Sequence, residues 1–166
     1  GSRGQRIVPG QGGALTLISD RIPCVFEAGD VAKDGTIAAG LALADFHQRF
    51  NRLTLKVKGA QTAQLKVTWG GQAKVFDRAV LEAGVNLASE FPQGPLKPAF
   101  DKIWKAVGEK QAFETRQIKT LFRSPEAKKD MEAIVKSSEL EHAKLVAALK
   151  AAYAPAETSL AIEEVR

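Results

Sequence analysis

His47 and His142 are the chain's two imidazoles, and Cys24 is its one thiol. Histidine is the first choice for a general base at neutral pH. His47 stands in Asp45-Phe46-His47-Gln48-Arg49-Phe50, two residues after an acid. On a helix such neighbours face apart; on a strand they share a face without having to touch. His142 is spaced helically with Leu145, Val146 and Leu149, which places it at the edge of an apolar stripe as a half-buried packing residue. A hydrolase built on either ring would need a neighbouring hydroxyl, such as Thr54 or Ser138. Neither a Gly-x-Ser-x-Gly elbow nor a Gly-Asp-Ser block is present, and there is no phosphate-binding Gly-x-x-x-x-Gly-Lys-Ser/Thr loop. The catalytic set, the cofactor set and the metal set are therefore all read as empty.

The remaining candidates are weaker. Cys24 lies in Ile22-Pro23-Cys24-Val25-Phe26 and reads as a small buried apolar residue, with a nucleophile as the minor alternative. A single cysteine excludes an internal disulfide and a multi-cysteine zinc site. The pairs Glu139/Glu141 and Glu163/Glu164 sit in polar surroundings, where a carboxyl does not gain the raised pKa of a general acid. Trp69, Phe76 and His47 remain as candidate binding residues: an exposed Trp69 or Phe76 would suit a glycan or a partner protein. Trp69 also shares an alternating set with Leu65 and Val67, which favours the core, and Trp104 belongs to a helical stripe that favours burial still more.

The elements that must position these residues follow from composition and period. The 166 residues, 45% apolar and 26% charged, suit one ordinary globular domain or a small sheet domain with a helical appendage. The formal charge of +5 comes from 24 basic and 19 acidic residues, mostly interleaved. That pattern lacks the one-signed stripe of a nucleic-acid binder. No apolar run is long enough to span a bilayer, and no signal peptide is visible. Gly1-Ser2 has the form of a scar left by tag removal.

Residues 1–13 are Gly-, Arg- and Gln-rich and are expected to be a flexible entry segment. Leu15–Ile18 and Cys24–Phe26 read as short strands, and Ala28–Gly40 as a loop. Leu53, Leu55 and Val57 alternate with Thr54, Lys56 and Lys58; Leu65, Val67 and Trp69 alternate with Lys66 and Thr68. Period 2 predicts strands with one wet face, and Gly70-Gly71 predicts a hairpin into Ala73 and Val75. Gly84-Val85-Asn86-Leu87 adds a short strand. From Phe100 the period changes to three and four, predicting a helix over 97–122. Ser124-Pro125-Glu126 then predicts the start of a second helix, ended by Pro155. Leu160, Ile162 and Val165 alternate again.

The expectation is thus an α+β fold: an antiparallel β-sheet or small β-sandwich with a long two-helix antiparallel hairpin. Its parts are residues 1–13 (entry segment), 14–96 (antiparallel β module), 97–154 (helical hairpin) and 155–166 (a last strand returning to the sheet).

Four segments, in order, resemble a group of bacterial SGNH/GDSL-type hydrolases: Phe50-Asn51-Arg52-Leu53, Val67-Thr68-Trp69-Gly70, Gly84-Val85-Asn86-Leu87-Ala88-Ser89-Glu90-Phe91, and Lys110-Gln111-Ala112-Phe113-Glu114-Thr115. The resemblance covers roughly residues 15 to 165. In that group these segments follow the flavodoxin-like catalytic domain, whose Ser, Gly, Asn and His/Asp blocks come earlier in the chain. Arg6-Ile7-Val8-Pro9-Gly10 is faintly similar to the final Asp-x-x-His-Pro block, with Val8 in the place of the His. No catalytic residue carries over. The resemblance implies a non-catalytic accessory module of an ester hydrolase, for substrate positioning, cleft covering or oligomerisation through the helices. It implies as partners the parent's catalytic domain and a carbohydrate ester substrate, and as setting a bacterial, exported protein. Nucleic acid and a membrane span are not expected, and no cofactor is implied. Two alternatives stay open: a free-standing glycan- or protein-binding module, and a cryptic hydrolase using His47 or His142.

Overall fold

The computed structural model describes residues 3–26 and 29–165; Gly1, Ser2, Glu27, Ala28 and Arg166 lie outside them, and with them parts of the expected entry segment, loop and last strand. In chain order the elements are β1 (Gln5–Pro9), β2 (Leu15–Ser19), α1 (Ile37–Leu43), α2 (Phe46–Arg49), β3 (Thr54–Leu55), β4 (Gln64–Trp69), β5 (Gln72–Asp77), α3 (Arg78–Ala83), β6 (Val85–Asn86), α4 (Leu87–Glu90), α5 (Lys97–Lys119), α6 (Pro125–Lys129), α7 (Met131–Ala152) and β7 (Ala156–Glu164). The fold is α+β, with an antiparallel five-stranded sheet and long helices. By compactness the chain divides into residues 1–100 with 155–166, and residues 101–154.

In the first unit the sheet order is β1-β2-β7-β4-β5, every pair antiparallel. The C-terminal strand is therefore central. Leu160 pairs with Leu15 on one side and Trp69 on the other, and it is fully buried. Period 2 puts Leu17, Leu65, Val67, Trp69 and Leu160 on one face, all buried. The opposite face carries Lys66, whose Nζ meets Glu163 Oε2 of β7 at 2.6 Å. The core face is covered by Leu53, Leu55, Leu81, Val85, Leu87 and Phe91, which come from the short strand pair β3–β6 and from helical turns. A second full sheet is absent among the described residues, so of the two expected architectures the single sheet holds.

Four local expectations are corrected. The segment 1–13 contains β1, an edge strand paired with β2 from Gln5↔Ser19 to Pro9↔Leu15. Its exposed Ile7 and Val8 hid the pattern, because an edge strand has little core to face. The alternation at 53–58 yields a two-residue strand: Leu53 is tied to Asn86 and Leu87, and Val57 N–H donates to the Leu81 carbonyl, so helical turns take the partners a longer ladder would need. Cys24–Phe26 is not a strand; Cys24 hydrogen-bonds a side chain instead. Inside the expected loop, Thr36 Oγ1 accepts from Ala39 N–H at 3.2 Å and starts α1.

In the second unit the helical pairing is antiparallel. Gln117 reaches Ser138, and Glu114, one turn earlier, reaches His142, one turn later. Ser124 caps α6 through Ala127 N–H as expected. The helix then breaks at Asp130, in extended backbone, which caps α7 through Ala133 N–H. An Asp competes with the backbone for hydrogen bonds and so favours such a boundary. No helix among the described residues is long and apolar enough to cross a membrane.

Candidate functional site

Two asparagines organise the loops over the core face. Asn51 Oδ1 accepts from the Cys24 N–H at 2.8 Å, and Asn51 Nδ2 donates to the Cys24 carbonyl at 2.8 Å. The side-chain amide thus replaces a paired strand for residue 24. The second Nδ2 hydrogen goes to His47 Nδ1 at 3.1 Å. Asn86 Nδ2 donates to the carbonyls of His47 and Asn51, at 3.1 and 3.0 Å, while its Oδ1 accepts from Leu53 N–H at 2.9 Å and Ala88 N–H at 3.2 Å. Asn86 caps α4 and fixes the 47–53 turn at once. Only a short side chain with both donor and acceptor can do this.

The staple frames a pocket of about 720 Å³ between the core face of the sheet and the segments 21–24 and 49–55. Its floor is apolar, with Leu17, Leu53, Leu55, Leu87 and Leu160. Its walls carry Arg3, Arg21, Arg49 and Arg52, with Cys24 and Asn51 between them. Among the described residues no carboxylate lines it. Burial pushes the Cys24 thiol above its ordinary pKa by desolvating the thiolate, so Cys24 is a poor nucleophile at neutral pH. A second, smaller pocket of about 330 Å³ lies between Phe26, Phe46, Leu41 and Pro92 and is lined mainly by apolar groups.

The sequence-derived candidates fall in different places. His47 is held by Asn51, and its ring makes no hydrogen bond or ion pair with Asp45 or Thr54 among the described residues. His142 Nε2 donates to Glu114 Oε1 at 3.0 Å, its Nδ1 lies 3.6 Å from Glu139 Oε2, and its ring stacks on Phe113 at 6.4 Å. Ser138 Oγ is engaged by Gln117 Nε2 at 3.1 Å and the Val135 carbonyl. Among the described residues neither ring is hydrogen-bonded to a hydroxyl. Trp69 is corrected as a binding candidate: it is 1% exposed, its indole N–H donates to Thr158 Oγ1 at 3.0 Å, and Phe91 packs edge-on against it at 5.9 Å. Phe76 is half-buried, packed on the core from β5. Trp104, expected to be buried, is 54% exposed.

The arginine-walled pocket was not found from sequence, where the basic residues read as scattered. A signal was present: Arg takes five of the six basic positions before Leu53, whereas Lys dominates afterwards.

No family model matches the chain, and no curated protein matches it. Among solved structures the chain is similar to a gut microbial diltiazem-metabolizing enzyme, with a TM-score of 0.61 and 15% identity. The match covers 98% of this chain and 46% of that one, so the chain spans less than half the length of that enzyme.

Proposed function

We propose that this chain is a non-catalytic accessory module of an SGNH/GDSL-type ester hydrolase, shaping or covering the cleft of a catalytic domain carried in the same parent protein. The observation that carries this reading is the match of nearly the whole chain to less than half of a metabolizing enzyme. On this reading the remaining part of such an enzyme holds the reacting groups.

The motif residues support it. Asn51, Asn86, Leu87 and Phe91, which carry the resemblance to the hydrolase group, act in the stapling and the core rather than in chemistry. Both histidines also support it, since neither ring is hydrogen-bonded to a hydroxyl among the described residues. In the parent, an activated Ser attacks the ester and a His takes its proton; none of those groups is assigned to this chain. The module's part is to present surface to the substrate. Carbohydrate esters are the proposed substrates and an exported protein the proposed setting. Exposed Ile118 and Leu140 on the helices are proposed contacts for a second copy or for the catalytic domain.

The test is hydrolysis of p-nitrophenyl acetate and of diltiazem by the purified chain, with fluorophosphonate labelling read by mass spectrometry. No turnover and no label are expected; co-expression with the parent's serine-bearing domain restores both. Turnover by the chain alone that disappears in His47→Ala or His142→Ala would overturn the reading and make the chain a hydrolase in its own right.

A further inference from the structure

We propose that the arginine-walled pocket is a binding site for a small organic carboxylate, with the carboxylate held by the arginines and an apolar part of the ligand laid against Ile7 and Phe50. The site is independent of any ester chemistry elsewhere in a parent protein.

Charge is the first argument. Four arginines, Arg3, Arg21, Arg49 and Arg52, line one concavity that no carboxylate of the described residues lines. Several basic residues elsewhere are paired with acids: Lys66 meets Glu163, Lys74 meets Glu90, Arg78 meets Glu82, and Lys110 meets Glu114. None of the four pocket arginines takes part in an ion pair among the described residues. Like charges gathered without counter-charges repel one another, and a bound anion relieves that repulsion. A solvated surface needs no such gathering.

Shape and residue type select the ligand. The pocket's size, about 720 Å³, lies in the range of small-molecule sites. Arginine's planar fork matches a carboxylate through two parallel N–H···O bonds. Arg49 sits over the Phe50 ring, 5.4 Å from its centroid, a contact that holds a flexible side chain at the rim. The apolar lining open to a ligand includes Ile7 and Phe50, 50% and 62% exposed, while Leu17 and Leu160 belong to the packed core that backs it. An inorganic anion would leave Ile7 and Phe50 wet; an organic acid with an apolar face covers them as well. The wall is itself fixed, because Asn51 binds both backbone groups of Cys24.

Cys24 gives a clean readout, being the chain's one thiol and lining the pocket. The experiment follows alkylation of Cys24 by iodoacetamide in the full chain at mildly alkaline pH, where the raised thiol still supplies thiolate, with benzoate, benzamide or inorganic phosphate present. Benzoate at about ten times its dissociation constant is expected to slow alkylation by about tenfold, as mass action requires of a one-site competitor. Isosteric but uncharged benzamide should not protect, and phosphate should protect much less. In the double variant Arg21→Gln/Arg52→Gln, benzoate's dissociation constant should rise by about tenfold or more, for two lost charge-assisted contacts, while circular dichroism reports an unchanged fold. Equal protection by benzamide would overturn the proposal, since charge would not be recognised. Equal protection by phosphate would overturn the assignment to carboxylates. An absence of protection at millimolar benzoate, or protection that survives the arginine substitutions, would overturn the site itself.

Discussion

Asn86 donates through Nδ2 to the backbone carbonyl of Asn51 at 3.0 Å, and Asn51 spends its own side chain on the two backbone groups of Cys24. The two residues form a chain of command from β6 through the 47–53 turn to the Cys24 wall. Removing Asn51 strands a part-buried donor and acceptor at once. Asn51→Ala is expected to cost about 1–3 kcal/mol, the usual range for partners left unsatisfied. Urea unfolding followed by circular dichroism measures it. The same variant should speed Cys24 alkylation, because residue 24 loses its anchor. A cost near zero with unchanged alkylation would remove the staple from this account.

A second pair sits deeper. Trp69 Nε1 donates to Thr158 Oγ1 at 3.0 Å, across the β4–β7 ladder and beneath Phe91. Thr158→Val keeps the shape and deletes the acceptor, leaving a buried indole N–H with no partner. The expected loss is about 1–3 kcal/mol. The interaction is isolated by a double-mutant cycle with Trp69→Phe, in which the Thr158→Val penalty should shrink. If the penalty is the same with and without the indole, it comes from packing alone.

The sequence made the sheet interior and the long helices readable because one physical pattern dominates each. Leu65, Val67 and Trp69 are all buried at period 2, and Gly70-Gly71 closes the hairpin as its composition demands. The edge strand β1 was not readable. Ile7 and Val8 are 50% and 38% exposed, so no alternation of burial shaped their neighbours. Trp104 misled in the opposite way: it lies on a helical stripe and yet is 54% exposed, since a stripe states which face is apolar and not how deeply each residue on it is covered. The pocket was hidden for a third reason. Arg3, Arg21, Arg49 and Arg52 are far apart in sequence and gather only when β1 docks beside β2 and the 49–55 segment crosses the core face. No local spacing rule carries that information.

The hairpin turn separates two effects of glycine. Gly70 has φ +60 and Gly71 has φ +79, so an added Cβ strains either residue. At Gly70 that Cβ would also lie 2.6 Å from Pro95 Cδ, whereas at Gly71 nothing stands within 4 Å. Gly71→Ala should therefore show the backbone cost alone, about 1–2 kcal/mol. Gly70→Ala should cost clearly more, because Pro95 belongs to a ring that cannot swing aside. Thermal melts of the two variants beside the parent give the order. Equal losses would mean that the 92–96 turn shifts freely, and that Gly70 is constrained only by its dihedral angle.

The helical unit has its own pH dependence, centred on Glu114. Lys110 hydrogen-bonds this carboxylate from one turn away, and His142 Nε2 donates to it from α7 at 3.0 Å. The Lys110 contact, outweighing a partial desolvation, and then the His142 contact hold the Glu114 carboxyl below its ordinary range. Glu139 faces the far side of the His142 ring at 3.6 Å, and Arg116 lies over Phe113, on which that ring stacks. A carboxyl whose folded pKa is depressed binds fewer protons in the folded state than in the unfolded one. Its stabilisation is complete above the ordinary glutamate pKa and is lost as pH falls from that value through the lower folded one. Glu114→Gln should therefore be less stable than the parent at neutral pH, and the gap should close as pH falls through that window. Paired melts at matched ionic strength check it. The group is partly exposed, so added salt should narrow the neutral-pH gap as well. A gap that is independent of pH would assign the loss to side-chain packing and remove the charge network from the helical pairing.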